Sequence, residues 1–108
     1  MSLDSETRGI IDNLLSSNQV VLFMKGTPQQ PQCGFSAKTT AALDMLVPDF
    51  ASVNVLEHPE IREGIKEYAN WPTIPQLYID GELIGGCDIV MELYHSGELK
   101  ALVAAAGH

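Results

Sequence analysis

The 108-residue chain is short of cysteine, of positive charge and of long apolar runs, and each shortage closes off a class of function. Its two cysteines, Cys33 and Cys87, are too few for a disulfide scaffold and too far apart for a CxxC unit. Cysteine here therefore points to chemistry rather than stapling, and to a reducing compartment, by default the cytoplasm. Six Lys and Arg stand against fourteen Asp and Glu, for a net charge of -8. The six are scattered, which argues against nucleic acid or an anionic membrane surface as partner, since both are held by clustered cations. No run is apolar and long enough to span a bilayer, and residues 1–18 lack the basic start and apolar block of a secretory signal. Internal repeats, low-complexity tracts and linkers are absent as well. With 45% hydrophobic residues, positions 1–108 fit one globular domain with a modest core.

What is present alternates between strand and helix signals. Ile10, Ile11, Leu14 and Leu15 recur at helical spacing between Asp4 and Ser17, which predicts an amphipathic first helix. Val20-Val21-Leu22-Phe23-Met24 is short, continuous and β-branched, as suits a central strand covered on both faces. A loop forced by Gly26-Thr27-Pro28 and Pro31 follows, then a helix from Phe35 to Val47 ended by Pro48-Asp49, with Phe35, Ala42, Leu43 and Leu46 marking its buried face. Ser52 to Val55 alternates as a second strand, giving a βαβ unit with parallel strands and a right-handed crossover. Pro59 opens a helix that runs from Glu60 to Ala69, with Ile61, Ile65, Tyr68 and Ala69 on one face. Gln76–Ile79 and Glu82–Gly85 flank Asp80-Gly81, a two-residue hairpin signal. Asp88 is placed to cap the next helix, which Ser96-Gly97 separates from a last one ending near Ala106. The class is α/β: a mixed sheet with helices on both faces.

Cys33-Gly34-Phe35-Ser36 is the stretch with chemistry in it. A thiol at a helix start meets unpaired N–H groups and the positive end of the helix dipole, which favour the thiolate that attacks disulfides and binds metals. Three residues on, where a dithiol motif would carry its resolving thiol, stands Ser36, whose hydroxyl forms no S–S bond. Lys25, at the end of the central strand, either reaches this sulfur or is solvated. Thr73-Ile74-Pro75 either starts an edge strand or, with a cis bond, offers the Ile74 N–H and C=O to an extended ligand. Gly85-Gly86-Cys87-Asp88 leaves backbone free at a helix start, which suits a carboxylate, or is a plain hairpin exit with a buried Cys87. Arg62 is by default a surface charge paired with a nearby Glu. His58, His95 and His108 show no ligand spacing and read as solvated or capping, while Met24, Met45 and Met91 read as core filling.

Taken together, Met24-Lys25-Gly26-Thr27-Pro28, Cys33-Gly34-Phe35-Ser36, Trp71-Pro72-Thr73-Ile74-Pro75-Gln76 and Gly85-Gly86-Cys87-Asp88 resemble the monothiol glutaredoxins of the CGFS type. The resemblance covers nearly the whole chain and shows no departure at the motif positions. It implies a thioredoxin-like fold with a four-stranded mixed sheet and Pro75 in cis. It further implies that Cys33 ligates a 2Fe-2S cluster with glutathione bound beside it. Carried over, Lys25 and Arg62 meet the glycyl carboxylate of glutathione, the Ile74 backbone its cysteinyl part, and Cys87-Asp88 its γ-glutamyl end. Such a cluster usually takes four thiolates, so the assembly implied is a homodimer holding one cluster and two glutathiones, and a monomer without it. The family also pairs with BolA-like proteins and passes clusters to acceptor apoproteins. Two other functions use the same residues. One is a glutathione-dependent thiol–disulfide reductase in which Cys33 attacks and external glutathione resolves. The other is a redox sensor that joins Cys33 to Cys87.

Overall fold

A computed structural model describes residues 3–47 and 49–106; the expectations placed on Pro48 and His108 lie outside them. Five helices and four strands follow in the order α1 (Ser5–Ser17), β1 (Val20–Met24), α2 (Gly34–Asp44), β2 (Ala51–Asn54), α3 (Pro59–Ala69), β3 (Gln76–Ile79), β4 (Glu82–Gly85), α4 (Cys87–Ser96) and α5 (Glu98–Ala105). The sheet order is β2-β1-β3-β4, with β1 parallel to β2 and antiparallel to β3, and β3 antiparallel to β4. This is the thioredoxin-like arrangement.

The alternation of β1 explains why all five of its residues are apolar. Val21 and Phe23 face one core, with Ile11 and Leu15 of α1 and Ile61 and Ile65 of α3. Val20, Leu22 and Met24 face the other, with Leu43 of α2, Val90 of α4 and Leu99 of α5. A strand with period two that is covered on both sides has no solvent face to keep polar. The hairpin between β3 and β4 turns through Asp80 and Gly81, both at positive φ (52° and 80°), as the Asp-Gly signal requires. Asp4 caps α1 by accepting from the Thr7 N–H at 2.8 Å. Pro59 occupies the first turn of α3, where its missing N–H costs nothing. Gly97, at φ 86°, separates α4 from α5.

Several expected core positions face solvent instead. In α1, Thr7 is buried with Ile11 and Leu15 whereas Ile10 is exposed. Phe35 is 58% exposed, and α2 turns Ser36, Thr39, Thr40, Ala42 and Leu43 inward. That helix stops at Asp44, and Leu46 and Val47 fold back so that both N–H groups donate to the Leu43 carbonyl. Met45, its C-cap, is 73% exposed and fills no core; Met24 is fully buried and Met91 half-buried. His58 stands at the N-cap position of α3 without a side-chain capping bond, its Nδ1 3.7 Å from Glu60. No helix among the described residues is long and apolar enough to cross a membrane.

Candidate functional site

Cys33 is the N-cap of α2, and its sulfur takes the place of the usual capping oxygen by accepting from the Ser36 N–H at 3.3 Å. The Ser36 hydroxyl lies 3.4 Å from the same sulfur and accepts from the Lys25 N–H at 3.1 Å. With that lone pair occupied, the hydroxyl proton is available to the sulfur once the thiol ionises. Partial burial is the largest single influence on Cys33 and pushes its pKa up. The Ser36 hydroxyl, the Ser36 and Phe35 amides and the Lys25 charge together outweigh it and hold the thiol below its ordinary range. Ser36 is fully buried, so the position that would resolve a disulfide serves to favour the thiolate.

A pH dependence follows from this sign. Alkylation needs the thiolate, so a lowered pKa moves the midpoint of the alkylation rate to lower pH than for free cysteine. In a Cys87→Ser background, where one thiol is read, Ser36→Ala removes the hydroxyl and moves the midpoint back up. An unmoved midpoint in stopped-flow alkylation assigns the effect to the backbone amides alone.

Next to the thiol runs a groove of about 430 Å3. Lys25, Arg62, Ile74, Cys87 and Asp88, which come from four separate stretches of sequence, all line it. Cys33 is not part of the wall, although Phe35, two residues on, is. Arg62 is not the glutamate-paired surface charge expected by default. It is half-buried, and its Nε has no hydrogen-bond partner. The Trp71 Nε1, buried in the same wall, has none either, and these are the two such side-chain atoms among the described residues. Two unmet donors at one cavity ask for an acceptor from outside. Three of the chain's six cations, Lys25, Arg62 and Lys66, converge here, so an acidic protein concentrates positive charge on one concave surface.

Pro75 is cis, as the motif implies. Asp88 does not cap α4: the N-cap is Gly86, with extended backbone, and Asp88 lies in the first helical turn. Cys87 is half-buried at the first position of that helix, and both cysteines are free thiols. Sequence reasoning missed Lys66, Trp71 and Phe35 as wall residues. Lys66 was findable, since it lies four residues after Arg62 and hence on the same helical face. Among the described residues no three His, Cys, Asp or Glu side chains come together to hold a metal ion.

The family model of glutaredoxin matches residues 20–84. A curated monothiol glutaredoxin of Synechocystis, itself described as uncharacterized, is 51% identical over 96% of this chain and 97% of its own length. The mitochondrial monothiol glutaredoxin-5 of Saccharomyces cerevisiae is 52% identical over 98% of this chain and 73% of its own. Among solved structures, reduced poplar apo GrxS14 superposes with a TM-score of 0.82 at 52% identity, covering 96% of this chain and 95% of that one. With a single thiol at the head of α2, and with family model and relatives agreeing over nearly its whole length, the chain belongs to the glutaredoxin family, in its monothiol branch.

Proposed function

We propose that this protein binds glutathione in the groove beside Cys33, holds a 2Fe-2S cluster between two chains, and hands that cluster as cargo to acceptor apoproteins. The observation that carries the proposal is the pairing of one activated thiol, with Ser36 where a second would stand, and a groove that contains two unmet buried donors. Glutathione fits the wall chemically: it brings two carboxylates and one amine, and the wall has Lys25 and Arg62 for one carboxylate. The N–H groups at the head of α4 suit the other carboxylate and Asp88 the amine. Ile74 lies outside any strand, and no backbone hydrogen bond within the described residues meets its N–H or C=O, so both are open to the peptide part of the ligand. The volume is in the range of small-ligand sites, about 300–1,000 Å3.

One chain then offers Cys33 to iron, and a bound glutathione offers its own thiolate. Four thiolates therefore call for two chains and two glutathiones. This supports a homodimer when loaded and a monomer when empty, with a BolA-like protein able to replace one copy. Cys33 binds, Ser36 and Lys25 favour its thiolate, and Arg62 orients the glutathione. The bacterial relatives and the free thiols support the cytoplasm as the compartment. A glutathione-dependent reductase is the second reading, because a lowered Cys33 pKa also serves a nucleophile.

Anaerobic reconstitution with iron, sulfide and glutathione, followed by size exclusion and by iron and glutathione counts, tests the proposal. We expect a coloured dimer with one iron and one glutathione per chain. A cluster-loaded monomer overturns it, and mixed-disulfide turnover equal to that of a dithiol enzyme moves the assignment to reductase.

A further inference from the structure

Two buried polar side chains on β3 have no part in the site as described. Gln76 is completely buried and Tyr78 is 2% exposed, and neither lines the groove. Two positions apart on one strand, they point to the same side of the sheet. The Tyr78 hydroxyl donates to Gln76 Oε1 at 3.0 Å. Gln76 Nε2 in turn donates to the Trp71 carbonyl at 3.0 Å and the Thr73 carbonyl at 3.2 Å. Both amide protons are thus used on the loop that forms the groove wall, and the amide oxygen is used on the phenol.

The loop needs an outside donor. Pro72 and Pro75 lack an N–H, and among the described residues the one backbone hydrogen bond made by the segment from Trp71 to Pro75 runs from the Trp71 N–H to the Lys66 carbonyl, with no backbone partner for the Trp71 and Thr73 carbonyls. Burying an amide and a phenol is costly unless both are satisfied, and an apolar pair would fill the same core more cheaply. Tyr78 is itself fixed by an edge-on contact with Phe23, ring centroids 5.5 Å apart at 76°. Burial, with Tyr68 nearby, pushes its phenol well above the ordinary range, so it remains a donor.

We propose that Tyr78 and Gln76 form a buried relay that sets the conformation of loop residues 71–74 and thereby the affinity of the groove for glutathione. They are positioning residues that act through Trp71 and Thr73, and the ligand half of the proposal rests on the glutathione reading above.

Trp71 is the only tryptophan in the chain, so intrinsic fluorescence reports the loop without any ligand. Gln76→Met keeps length and burial but removes all three hydrogen bonds, whereas Tyr78→Phe removes one hydroxyl and leaves the ring in place. In ligand-free protein, acrylamide quenching of Trp71 rises in Gln76→Met and rises less in Tyr78→Phe. By NMR titration, the glutathione Kd rises about tenfold in Gln76→Met and about threefold in Tyr78→Phe, the scale of one or two hydrogen bonds. In the Gln76→Met background, Tyr78→Phe has no further effect on Kd, because the phenol acts only through the amide. The alkylation midpoint of Cys33 stays where it is in every variant. Additive losses in the double variant, or quenching unchanged in both single variants, overturn the relay. Should Gln76→Met fail to fold, Tyr78→Phe decides by the same two measurements. Wild-type protein that does not bind glutathione would defeat the functional reading instead, and the ligand-free quenching would still decide whether the relay holds the loop.

Discussion

Replacing Cys33 with serine leaves a folded protein that holds no cluster and stays monomeric. The fold survives because Cys33 is the N-cap of α2, and serine is among the best residues at that position. Its hydroxyl can accept from the Ser36 N–H as the sulfur does. The chemistry does not survive, because a serine hydroxyl is not ionised near neutral pH and is a poor ligand for iron that prefers thiolate. The expected result is therefore a sharp separation: a Tm at or above that of the wild type, with the visible absorbance of the reconstituted protein gone and the elution volume that of the empty chain. Cys87→Ser is the control. Cys87 lines the groove proposed for glutathione, at the head of α4, so on that reading its loss should weaken glutathione binding without removing a ligand from iron. Cluster retained by the Cys33 variant defeats the cargo assignment, and cluster lost equally in both variants moves Cys87 into the ligand set.

The parts of this site that were legible in the sequence are those fixed by local rules. A thiol before a helix becomes an N-cap, Asp-Gly between two strand signals becomes a tight turn, and an uninterrupted apolar run becomes a strand covered on both faces. The misreadings share a physical origin in α2, where hydropathy mistook the inward face. Ser36, Thr39 and Thr40 are buried there because each hydroxyl finds a partner close by: Thr39 donates to the Phe35 carbonyl at 2.9 Å, and Thr40 to the Met24 sulfur at 3.6 Å. Once satisfied, a hydroxyl is cheap to bury, and the helix rolls so that Phe35 lands on the groove and Met45 in solvent. Gln76 follows the same logic on β3. Its partners are carbonyls three and five residues back, across a loop whose course the sequence does not disclose. Asp88 read as a cap because its type favours that role. The extended backbone of Gly86 starts α4 two residues earlier than an Asp88 cap allows, and the acid is left on the groove.

Gly26→Ala should be strongly damaging although it adds a single methyl group outside the core. Gly26 has φ 90°, a conformation alanine adopts only under strain. A Cβ there would stand 2.5 Å from the Gln30 carbonyl oxygen and 2.6 Å from the Gln32 nitrogen. Both are backbone atoms, so no side-chain rotation relieves the overlap. The glycine sits where three restraints on the loop before Cys33 meet. Its N–H donates to the Asn54 side chain at 2.9 Å, it bridges to Pro31, and the neighbouring Lys25 carbonyl accepts from the Gln32 N–H at 2.9 Å. Any relief therefore displaces the segment that delivers the thiol to the head of α2. Strain and lost hydrogen bonds together should cost about 3 kcal/mol, a fall in Tm on the order of 15 °C for a domain of this size. The surviving folded fraction should show a Cys33 alkylation midpoint moved up towards that of free cysteine, since Lys25 and Ser36 no longer face the sulfur as they do in the wild type. Gly34→Ala, one residue past the thiol, is the matched control: a Cβ there meets nothing within 4 Å, and alanine in a first helical turn is favoured over glycine. Thermal unfolding and alkylation of the two variants side by side separate loop geometry from glycine content. Equal behaviour would mean that the loop at Gly26 is not what presents the thiol.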